Sequence, residues 1–155
     1  MICLTYEDLL QIAQEKKLIV TEKAFKSKSK GLIKGNKIGI STALETDAER
    51  ACILAEEIAH YETNCGDILD QTKVENQKEE LRARRYAIQM LLPLSRLVEA
   101  YEAGKRNRYE TAEFLDVTEP FLASAIEAYA NLYGLCHREG KYLIYFQPMR
   151  IIRMV

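Results

Sequence analysis

From Asp47 to Leu92 the chain contains one glycine, Gly66, and no proline, and Pro93 closes the stretch. So few breakers over that length commit it to helix, and the single interruption divides it in two. Asp47 to about Glu62 reads as one helix, with Thr46 or Asp47 as its cap and Ala48, Ala51, Cys52, Ala55 and Ala59 on its buried side. Gly66 breaks it, a polar linker runs to about Asn76, and Gln77 to Leu92 forms a second helix that cannot continue through Pro93.

Shorter elements flank this pair. Thr5-x-x-Asp8 has the form of a capping box, and Leu9, Leu10, Ile12 and Ala13 follow at helical spacing up to Leu18. Ile19 to Phe25 is rich in β-formers, and Gly31 to Ile40 alternates apolar and polar residues around Gly35-Asn36, so a small antiparallel sheet is expected there. Lys23 to Lys37 carries six lysines and no acid, the composition of a solvated edge that resists aggregation. After Pro93, Leu94 to Ala103 reads as helix, Tyr109–Leu115 and Glu119–Tyr133 as a helix pair, and Tyr142–Phe146 as a strand stopped by Pro148.

The fold class expected is α+β: a mostly helical domain over residues 1–105 with a small antiparallel sheet. A helix-turn-helix-like extension ending in a short strand occupies residues 106–155, packed on the same core. With 155 residues the chain suits one compact fold. Its 22 basic and 23 acidic residues, a net charge of −1, exclude global attraction to nucleic acid or anionic lipid. No apolar run approaches the roughly 20 residues of a membrane span. Met1 to Asp8 lacks the basic-then-apolar pattern of a leader, and Cys3, Cys52, Cys65 and Cys136 form no CxxC pair. Reduced thiols in a cytoplasmic protein are the expectation.

The chemistry lies in Ala55-Glu56-Glu57-Ile58-Ala59-His60. Glu56 and His60 are four residues apart, about 40° around the axis, and so share a helix face. Glu57, three residues before His60, overhangs the same place. This is the arrangement of zinc-peptidase helices, in which two ligands four apart hold the ion and the Glu between them takes a proton from the attacking water. Here Glu56 stands at the position usual for the first histidine, and with only His60 and His137 in the chain no HExxH exists anywhere. An anionic ligand in that place lowers the effective charge of the ion and weakens its acidification of water. A third ligand is expected on the next helix, with Glu80 favoured.

Leu54 to Tyr61, Gly66-Asp67-Ile68 and Glu80-Leu81-Arg82-Ala83-Arg84-Arg85-Tyr86-Ala87, running on to Leu91-Leu92-Pro93, resemble the ImmA/IrrE family of metallo-endopeptidases. That family shows an HExxH helix, a loop, and an E-x-x-A-x-x-[FY]-A helix ending in L-L-x-P. The resemblance covers about residues 1–105 and implies a zincin-like fold there, with Glu56, His60 and Glu80 as ligands of Zn2+ or another divalent metal and Glu57 as the general base. Glu80 follows His60 by 20 residues, as in Glu-type zinc peptidases. It further implies a cytoplasmic protease of phage or mobile-element origin that cleaves a helix-turn-helix repressor.

Other residues admit more than one reading. Asp67 and Asp70 are ligands, partners that orient His60, or solvated turn formers. Cys52 extends the Glu56–His60 stripe by one turn and is either a ligand or a small core residue. Arg82, Arg84 and Arg85 form salt bridges on a solvated face or stabilise a reaction oxyanion. Arg108 to Leu122 resembles a DNA-binding helix-turn-helix, but its second helix, Glu119–Tyr133, has two acids and no Lys or Arg. That surface repels phosphates, so nucleic acid is not the expected partner. A non-catalytic pseudo-protease that binds its repressor without cutting is the alternative to the enzyme.

Overall fold

The computed structural model describes residues 4–63 and 73–155. The protein is α+β, with six helices and two three-stranded sheets among the described residues. It divides into two compact units, Met1–Leu91 and Leu92–Val155. The division thus comes ahead of the boundary at residue 105 that the sequence suggests, and the helix after Pro93 belongs to the second unit.

In the first unit, α1 (Tyr6–Glu15) opens on the expected capping box: the Asp8 N–H donates to Thr5 Oγ1 at 3.2 Å and Thr5 N–H to Asp8 Oδ2 at 2.8 Å. The sheet holds β1 (Ile19–Lys23), β2 (Gly31–Lys34) and β3 (Lys37–Ser41) in the order β1-β3-β2. It is mixed, which corrects the antiparallel expectation for this region. β2 and β3 form the antiparallel hairpin around Gly35, whose φ of 61° is one that glycine adopts freely, but β1 runs parallel to β3 with Ile19 opposite Lys37. The physical reason is burial. Ile38 and Ile40 of β3 are 1% and 0% exposed, so β3 takes the centre and the more polar β1 and β2 take the edges.

Helix α2 (Asp47–Thr63) is capped by Thr46, whose Oγ1 accepts from Glu49 N–H at 3.1 Å. Its buried face, Ala51, Cys52, Leu54, Ala55, Ile58 and Ala59, is small enough for α3 (Lys73–Leu91) to approach closely with Ala83, Ala87 and Ile88. α3 begins at Lys73, within the expected linker. α1 also packs on α2, and a Lys16–Glu62 ion pair of 2.7 Å ties the two.

The second unit holds α4 (Leu94–Glu102), α5 (Arg108–Leu115), α6 (Glu119–Tyr133) and the strands β4 (Cys136–Glu139), β5 (Tyr142–Phe146) and β6 (Met149–Arg153). Asn107 and Thr118 cap α5 and α6, and Asp116 turns the chain between them at φ 56°. The three strands form an antiparallel sheet in chain order. This sheet corrects the expectation of a helical extension with one strand. As expected, β5 runs Tyr142–Phe146 and stops before Pro148, which sits in the turn to β6, where its missing N–H costs no ladder bond. Leu97, Leu115, Leu122, Ile144 and Phe146 make the core, and the Tyr129 hydroxyl donates to the Leu92 carbonyl at 2.7 Å. Among the described residues no helix is long and apolar enough to cross a membrane.

Candidate active site

α2 carries Glu56, Glu57 and His60, and α3 carries Glu80. Close packing of small residues between the helices brings His60 Nε2 within 4.0 Å of Glu80 Oε2. That is too long for a hydrogen bond. Two bonds of about 2.1 Å to a shared ion span at most about 4.2 Å, and less at a tetrahedral angle, so a small closure of the exposed Glu80 side chain brings both donors onto one ion.

Glu56 and Glu57 are both half-buried on the face of α2 that carries His60. Loss of hydration raises the Glu56 carboxyl above the ordinary carboxylate range, against the opposing pull of His60, Arg84 and Lys30. Burial likewise raises Glu57, and neighbouring Glu56 and Glu80 add to the rise while His60 opposes it. A carboxyl raised in this way takes up a proton more readily than an ordinary solvated carboxylate.

Glu57 also lies against the edge strand β2. A Cβ on Gly31 would sit 2.9 Å from Glu57 Oε1 and 2.5 Å from Ile53 Cγ2, so only glycine lets the strand pass this close. In the sequence Gly31 shows only as the start of a hairpin, and nothing ties it to Glu57. Lys30, one residue earlier, was likewise legible only as part of a lysine-rich edge, yet its charge acts on Glu56.

The donor set of imidazole and carboxylates suits zinc or another borderline divalent ion. Among the described residues no three His, Cys, Asp or Glu side chains converge closely enough to hold an ion. His60 and Glu80 are brought together, and Glu56 stands beside them as a half-buried carboxyl near His60, Arg84 and Lys30. Cys52 is 4% exposed on the packed face of α2. Arg82 and Arg85 are exposed on α3 and, with Lys78 and Tyr86, line a shallow cavity of about 550 Å³. Asp67 and Asp70 lie outside the described residues. No protein-family model matches the chain, and no curated protein matches it.

Proposed function

We propose that the chain is a metal-dependent endopeptidase of the ImmA/IrrE type, cytoplasmic and of phage or mobile-element origin, that cleaves a helix-turn-helix repressor. The observation that supports this most is the approach of His60 to Glu80 beside the upward-shifted Glu57. Glu56, His60 and Glu80 would hold Zn2+ or another divalent ion, which when bound supplies Lewis-acid polarisation of the scissile carbonyl. The chain's own part is proton handling and positioning. Glu57 takes the proton of the attacking water and returns it to the leaving amine, and burial, by raising its carboxyl, favours the first of these transfers. The free side of β2, next to Glu57, offers backbone groups on which an extended peptide can lie by strand addition.

A second reading, a pseudo-protease that binds the repressor without cutting it, is favoured by one observation: the described residues bring no third donor into the His60–Glu80 pair. Co-expression with the element's repressor separates the two. The enzyme reading expects a discrete repressor fragment with the native chain and none with Glu57→Gln, while both chains still pull the repressor down. Intact repressor in both, with pull-down retained, overturns the enzyme and leaves the binder. A DNA-reading role is opposed by the acidic α6, and a gel shift with the element's regulatory DNA at about 0.15 M salt is expected to show no complex.

A further inference from the structure

The second unit contains a cavity of about 510 Å³ between α5, α6 and the β5–β6 turn. That volume falls within the range of about 300–1,000 Å³ typical of small-molecule sites. Leu122, Ile126 and Phe146 give it an apolar floor. A smaller recess of about 150 Å³ adjoins it, sharing Arg106, Thr111 and Met149.

The rim is cationic. Arg108 borders the large cavity, and Lys105 and Arg150 border the recess; none of the three makes an ion pair among the described residues. Arg106, common to both, is held in place by bonds to the carbonyls of Tyr101 (2.7 Å) and Lys105 (3.0 Å) and by its position over the Tyr101 ring. Against these four cations stands one lining acid, Glu127. Glu110 in the first turn of α5 is engaged with the Arg106 N–H and does not line either space. Arg108 also begins α5, where the helix dipole adds positive charge to that of the side chain.

A polar group points the same way. Thr111 is 3% exposed and lines both spaces, so it adds a neutral hydroxyl to the lining where they meet. We infer that this cleft binds a small amphiphilic anion, an apolar body carrying one carboxylate, sulfonate or phosphate group. The body fills the floor over Phe146, and the headgroup meets Thr111 and the arginine rim.

The test uses the full chain and two probes that share an aromatic body: 1-anilinonaphthalene-8-sulfonate, which is anionic, and N-phenyl-1-naphthylamine, which is neutral. Fluorescence titration is expected to give one sulfonate probe per chain, bound at least about tenfold more tightly than the neutral one and displaced by decanoate. Arg108→Glu with Arg150→Glu, both at exposed positions, should weaken the anionic probe at least about tenfold and leave the neutral probe within about twofold. Ala123→Phe, which fills the floor, should weaken both. Equal binding of the two probes, several sulfonate probes per chain, or no effect of the arginine reversals overturns the proposal. So does displacement by an acidic peptide at lower concentration than decanoate.

Discussion

Gly31 and Glu57 are coupled by distance rather than by any bond. A methyl group on Gly31 would press on Ile53 Cγ2 and Glu57 Oε1, both side-chain atoms, so the strand or both side chains must give way. Gly31→Ala is therefore expected to cost about 1–3 kcal/mol in urea unfolding, as overpacking does, and to lower repressor cleavage more than it lowers repressor binding. A second residue-scale prediction concerns Arg96. Its side chain is 7% exposed, pairs with Glu99 at 2.6 Å and leaves Nε without a partner. Glu99→Ala strands a buried guanidinium and should destabilise by about 3 kcal/mol, whereas Arg96→Met removes the charge and the unpartnered nitrogen together and should stay within about 1 kcal/mol of the native chain. Urea unfolding of the two variants checks the asymmetry.

Among the elements, α1 is tied to β1 through the Tyr6 hydroxyl, which donates to Glu22 Oε1 at 2.9 Å. Burial, then this bond and the Glu22 charge, push the Tyr6 hydroxyl up to about 12. The folded state thus keeps a proton that the unfolded state loses near 10, so this contribution to stability is complete below about pH 10 and is lost as pH rises through about 12. Denaturation at stepped pH should show the native chain losing stability across that window relative to Tyr6→Phe; parallel curves would contradict it. The long elements were legible because their signals are local. Thr5 and Thr46 cap α1 and α2, Thr118 caps α6, and α3 ends two residues before Pro93. Strands β4 and β6 were not legible, since Cys136-His137-Arg138-Glu139 and Met149-Arg150-Ile151-Ile152-Arg153 have no pattern of their own and become strands by pairing with β5. The parallel setting of β1 was hidden for a related reason: β3 claims the centre of its sheet through the burial of Ile38 and Ile40, a tertiary effect.

At the scale of the molecule, two units carry different chemistry. Met1–Leu91 holds acids and one histidine on two packed helices, and Leu92–Val155 holds an apolar cleft with a basic rim, although the whole chain has a net charge of only −1. The i, i+4 spacing made the Glu56–His60 face visible in the sequence, and Glu80, favoured as a third ligand on the next helix, was supported by the resemblance to a family. The 4.0 Å approach of Glu80 depends on alanines packing between α2 and α3, which spacing alone does not reveal. The claim on which the rest depends is that Glu56, His60 and Glu80 bind one divalent ion beside Glu57. Metal content measured after loading with zinc and exhaustive dialysis tests it: about one ion per chain in the native protein and in Glu57→Gln, and none in His60→Ala or Glu80→Gln, is the predicted result. A native protein that retains no ion, or an ion retained undiminished in His60→Ala and Glu80→Gln, would contradict the account.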